Sequence, residues 1–148
     1  WTAPAPEPIV LPTKTALLVG TTPQPTATPP SCYTLISLAE SGDTNGVITT
    51  ARQMIAAGKN SNLAYQVWAL TLLDNDRFEE AYTVLSDASE EFPKEAWFPY
   101  LQGQAAFYLG EYQIAREYFR MVIELGNNPQ LMNQSADWFL RIEEAAGQ

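Results

Sequence analysis

The chain contains no histidine and a single cysteine. Without histidine it lacks the side chain that most often serves as general base and metal ligand near neutral pH. Cys32 therefore has no imidazole to activate it, which excludes a thiol-protease arrangement. One cysteine cannot close an internal disulfide, and burial as a small hydrophobe is its expected state. Cations are scarce. Eight Lys and Arg stand against seventeen Asp and Glu, the net charge is -9, and there is no basic run. Nucleic acid and anionic membrane surfaces are not expected partners for such a chain. No apolar stretch approaches the ~20 residues of a membrane-spanning helix. There is no phosphate-binding loop and no nucleophile elbow. Asp74-Asn75-Asp76 begins like a calcium loop but lacks the glycine and the bidentate Glu at the required spacing. The pairs Glu79/Glu80, Glu90/Glu91 and Glu143/Glu144 are adjacent, and adjacent helical residues do not converge on one point. The expectation is a protein that is not an enzyme and takes no cofactor or metal.

What is present divides into two regions. Residues 1–31 hold eight of the eleven prolines and seven threonines. Such a composition excludes helix and predicts an extended, polyproline-like arm. Its Thr-Pro stretch from Thr21 to Pro30 also reads as a surface-protein stalk whose threonines are candidates for O-linked sugar. The arm carries only Glu7 and Lys14, which cancel, so the net charge of -9 resides on residues 32–148. Two apolar clusters interrupt the arm: Ile9-Val10-Leu11 and Ala16-Leu17-Leu18-Val19. A pure spacer has no need of them. Ile9, Val10, Leu11, Leu17, Leu18 and Val19 are therefore read as a docking element. The start at Trp1 rather than Met is expected of a processed product, a fragment or an expression product, and a cleaved secretion signal is one cause of such a start. Asn133-Gln134-Ser135 matches the N-glycosylation triplet, a pattern that arises often by chance.

From residue 32 the periodicity is helical, with helices expected near 32–41, 45–57, 61–73, 77–91, 96–109, 111–125 and 129–145. Gly42, Gly58 and Gly126 mark stops. Asn128 before Pro129 marks a capped start, and Asp76 with Glu79 reads as a capping box.

Within this region two segments repeat at a spacing of 34. Phe78-Glu79-Glu80-Ala81 falls on Tyr112-Gln113-Ile114-Ala115, Ala69 on Gly103, Leu85 on Phe119, and Ala88 on Val122. The spacing and the small and aromatic offsets resemble the tetratricopeptide repeat (TPR). The resemblance covers two units, 62–95 and 96–129, with 31–59 as a degenerate earlier hairpin and 129–146 as a capping helix. Val122 and the late Pro129 depart from the family pattern. The resemblance implies an all-α, right-handed solenoid of helical hairpins, with Gly103 packed on Ala115 and Ala69 on Ala81. It also implies a concave, partner-binding groove lined by Leu63, Gln66, Leu70, Leu73 and Asp74 from one unit and by Trp97, Tyr100, Gln104, Phe107 and Tyr108 from the next. The expected function is non-enzymatic and extracellular: a structural protein that assembles with copies of itself by docking its arm on a neighbour. The alternative is a surface-tethered scaffold that binds another protein in the groove.

Overall fold

The structure is a computed structural model that describes residues 30–147. The arm, with its docking residues Ile9 to Val19, lies outside the described residues. The described chain is all-α, with seven helices and no strand. They are α1 (Cys32–Glu40), α2 (Thr44–Ala56), α3 (Ser61–Asp74), α4 (Phe78–Glu91), α5 (Trp97–Tyr108), α6 (Tyr112–Leu125) and α7 (Pro129–Ala146).

Local chemistry sets most of the boundaries. The hydroxyl of Ser31 accepts from the Thr34 amide and opens α1, the carboxylate of Asp43 accepts from the Gly46 amide at α2, and the Asn128 carbonyl oxygen accepts from the Leu131 amide ahead of Pro129 at α7. Each satisfies one of the amides that a helix start leaves free. The Asp76 expectation fails. Asp76 adopts φ +58, and the α4 cap position passes to Arg77, which makes no side-chain cap bond. The reason lies in the turn. Gly42, Asp76 and Gly110 stand 34 residues apart and all have positive φ, at 78°, 58° and 80°. The three turns share their backbone bonds as well. The amides of Asp43, Arg77 and Glu111 donate to Leu38, Leu72 and Ala106 at 2.9 Å each. A left-handed residue followed by this long reach back closes a helix by the Schellman route. Asp is one of the few non-glycine residues that tolerates it.

Each helix packs on the next in sequence, and α1 also touches α3, α3 touches α5, and α5 touches α7. The backbones of the even helices α2, α4 and α6 approach only their sequence neighbours, and α4 and α6 meet through the side chains of Tyr82 and Tyr118. Odd helices thus form one continuous layer and even helices another.

The core lies between the two layers. At matched positions 35/69/103 and 51/85/119 the chain has Leu, Ala, Gly on the odd helices and Ala, Leu, Phe on the even ones, all of them buried. As one partner shrinks the other grows, which keeps the layer filled to native density. In the third unit this packing is direct. A Cβ on Gly103 would lie 2.7–2.9 Å from the ring of Phe119. The three atoms nearest to such a Cβ all belong to Phe119, whereas the expectation set Ala115 against Gly103; Ala115 is fully buried on the adjoining α6. Ala69 and Ala81 are both fully buried where α3 packs on α4. Helix α7 buries a single stripe, Leu131, Ser135, Trp138 and Ile142, as a helix covered on one side does.

Candidate functional site

Among the described residues the odd helices α1, α3, α5 and α7 contact one another in turn and present a continuous face, which makes it a candidate binding surface. Its α1 and α3 rows enclose an open cleft of about 430 Å³. Ile36, Ala39, Val67 and Leu70 supply an apolar floor, and Glu40 and Asp74 stand beside it. No Lys or Arg lines the cleft. Ile36 is 41% exposed and Leu70 39%, although both are large hydrophobics. Each carboxylate follows its apolar residue by four positions, Ile36 to Glu40 and Leu70 to Asp74, so each pair shares one helix face. A second cleft, of about 370 Å³, lies beside α2 and α4. It is of another kind, because Arg52 and Arg77 line it together with Glu80 and Asp87 and compensate its charge internally. Arg52 lies over the Trp68 ring at 5.4 Å, and Arg77 is paired with Glu80.

The expected groove residues fall into three settings. Leu70 and Asp74 line the first cleft. Leu63, Gln66 and Leu73 are half-buried on α3; the Gln66 amide donates to Asn62, which in turn donates to Glu95 at 3.2 Å. The α5 aromatics form a cluster with α6 and α7. Tyr100 is only 7% exposed and its hydroxyl accepts from the Trp138 indole N–H at 3.2 Å, so it supports the face from behind and does not line an open groove. Phe107 is half-buried with its ring centroid 5.1 Å from that of Trp138, and Trp97 stands edge-on to Tyr100 at 6.0 Å. Tyr108 remains 52% exposed, stacked on Phe78 with centroids 5.0 Å apart. Gln104 is half-buried. Sequence reasoning missed Val67 and, on α1, Ile36, Ala39 and Glu40. A signal existed for the three on α1: Ile36, Ala39 and Glu40 stand 34 residues before Leu70, Leu73 and Asp74.

Behind the face lies a polar network. The buried Gln102 amide donates to the Ser86 hydroxyl at 3.2 Å and to the Tyr118 hydroxyl at 3.5 Å, and its carbonyl oxygen accepts from Ser89 at 3.2 Å. The hydroxyls of Tyr118 and Tyr82 lie 2.6 Å apart. Burial, then the bond to Tyr82, pushes the Tyr118 phenol well above its ordinary range. Burial, with the Glu91 carboxylate adding to it, pushes Tyr65 up to about 12. Phenols held this firmly neutral act as structural donors near neutral pH. Ser135 is fully buried and its hydroxyl has no partner.

Among the described residues no three His, Cys, Asp or Glu side chains converge in a way that could hold a metal. No helix among them is long and apolar enough to cross a membrane. The arrangement offers shape, apolar surface and negative charge. No known protein-family model matches the chain, and no curated protein matches it significantly.

Proposed function

We propose that the protein is a non-enzymatic, extracellular structural subunit of the TPR type. In this reading its helices form a right-handed solenoid, and it assembles by docking the arm of one copy on the helical domain of another. Support for the solenoid comes from the turn that recurs at Gly42, Asp76 and Gly110 and from the continuous layer of odd helices. Stacked repeats of this kind act through extended surfaces.

The observation that carries the assembly reading is the bare odd-helix face, where Ile36 and Leu70 stay exposed while the arm carries six large aliphatic residues that its own composition leaves without a core. Burying each such side chain is worth about 1.5–3 kcal/mol, against roughly 1–2 kcal/mol of backbone entropy per residue ordered. Prolines lower that cost because their φ is already restricted in the free chain. An arm that joins one copy to the next makes a head-to-tail contact, which runs on as a filament or closes as a ring. The arm threonines remain candidates for sugar.

The test is deletion of residues 1–20 followed by mass measurement in light scattering. The seven described helices and their buried side chains, Leu35 to Ile142, all lie outside the deleted stretch, so helicity by circular dichroism should be retained. The expected result is a folded monomer from a chain that otherwise assembles. A deleted chain that assembles as before refutes the reading. A full chain that is monomeric but captures a different protein on the odd-helix face would favour the scaffold alternative.

A further inference from the structure

We infer that the α1/α3 cleft is the seat for the arm of a second copy, with Lys14 held between Glu40 and Asp74 and Leu17 on the floor formed by Ile36, Ala39, Val67 and Leu70. This assignment rests on the arm-docking function and gives it a site and a register.

Charge selects the pairing. The domain carries the whole net charge of -9, so one domain repels another over about a Debye length. The arm is neutral, and Lys14 is its one cation. The cleft presents two carboxylates and no cation among its lining residues. A carboxylate pair beside an apolar floor favours a segment with one ammonium between aliphatic residues, and both flanks of Lys14 meet that description. Complementary charge of this sort also fixes register, since a shifted arm would leave the carboxylates unmatched.

Spacing agrees with charge. Ile36 and Glu40 are one helical turn apart, as are Leu70 and Asp74, which is about 6 Å along each helix. In a polyproline-type segment, with three residues per turn, Lys14 and Leu17 would share one face about 9 Å apart. The flexible stem of lysine covers the difference while its head stays at the wet edge. The cleft volume of about 430 Å³ falls within the range of about 300–1,000 Å³ typical of pockets that enclose a small ligand. It therefore suits one aliphatic cluster and not both.

Reach favours a neighbour over the same chain. The stretch from Thr21 to Pro30 contains four prolines, and a polyproline path of ten residues covers about 31 Å. The chain's own cleft opens at Ile36, about 6 Å along α1 from Cys32. A linker that follows such a path would carry Leu17 well past it, toward the cleft of another copy.

The test uses full-length chains with reversed charge. One variant carries Lys14→Glu. The other carries Glu40→Lys and Asp74→Lys, both at exposed positions. Each alone is expected to lose assembly by about tenfold in apparent affinity. Mixed together they should recover it, because the arm of each now matches the cleft of the other. Leu70→Asp, also on the exposed surface, should abolish assembly with helicity unchanged. If Lys14→Glu and Leu70→Asp assemble as the parent does while deletion of residues 1–20 yields monomers, the site is wrong and arm-driven assembly stands. If the deletion changes nothing, both fall. Recovery when all three reversals are placed in one chain, without recovery on mixing, would overturn docking between copies in favour of docking within one.

Discussion

The exchange of volume between Gly103 and Phe119 makes a quantitative prediction. Gly103→Ala introduces a methyl group 2.7–2.9 Å from three atoms of the Phe119 ring. That ring cannot retreat. It is fully buried, stacked on Trp138 at 5.3 Å and set edge-on to Tyr100 at 5.8 Å. Overpacking at such a site costs about 1–3 kcal/mol. Alanine in a helix interior returns about 1 kcal/mol relative to glycine, so the single variant should lose roughly 0–2 kcal/mol. Phe119→Leu alone leaves a void beside Trp138 and should cost about 1–2 kcal/mol, less than the 3–5 kcal/mol of truncation to alanine. The double variant installs in the third unit the Ala/Leu pair found at Ala69 and Leu85. Its clash is gone, the propensity gain is realised and the methyl refills part of the void. The coupling energy should therefore be favourable by about 1–3 kcal/mol. Denaturant unfolding followed by circular dichroism measures all four corners of the cycle. Thermal midpoints should follow at about 4 °C per kcal/mol for a domain of this size. Effects that add to within about 0.5 kcal/mol would refute the seating of Phe119 over Gly103.

Two further outcomes follow from buried polar groups. Ser135→Ala removes a fully buried hydroxyl without a partner and installs the best helix former, so stability should rise by about 0.5–2 kcal/mol in the same unfolding assay. A raised folded-state phenol pKa contributes stability that is complete below the unfolded value of 10.0 and is lost as pH climbs through the folded value. Tyr65 sets that window at pH 10.0 to about 12, and Tyr118 extends the loss in the same direction. Stability should hold from pH 7 to pH 9 and fall beyond pH 10; a fall that begins well below pH 9 would point to other groups.

Much of this fold is legible in the sequence because its turns are chemically marked. Gly42, Gly58 and Gly126 stop helices at φ values between 61° and 78°, and Asn128-Pro129 starts one as expected. Asp76 misleads for a physical reason. Asp with Glu three residues on satisfies the capping pattern, but the backbone there needs a left-handed residue, and only comparison with Gly42 and Gly110 reveals it. The unit 31–59 looks degenerate for a related reason. A repeat pattern scores each position by residue type, whereas packing constrains the sum across two helices. Leu35 with Ala51 fills the layer as well as Gly103 with Phe119 does, from the opposite side. Tyr100 could not be placed from local pattern, since its burial depends on Trp138, 38 residues away.

The position of the cleft has a cause of the same kind. Ala39, Leu73 and Phe107 are matched residues on α1, α3 and α5. Between α5 and α7 the position holds an aromatic ring, packed on Trp138 and Tyr112. Between α1 and α3 it holds a methyl group, and Gly42 and Thr44 follow it along the cleft wall. The odd-helix face is therefore filled at its C-terminal end by its own side chains and open at its N-terminal end. The residue types at the aromatic end, Trp97, Tyr100, Phe107 and Tyr108, draw attention to the filled part. The open part is read from what is small there. A chain whose domains repel one another through a net charge of -9 gains nothing from a broad domain–domain contact. In the proposed assembly a neutral arm would instead reach a single apolar cleft, at the one point where its cation would meet two carboxylates.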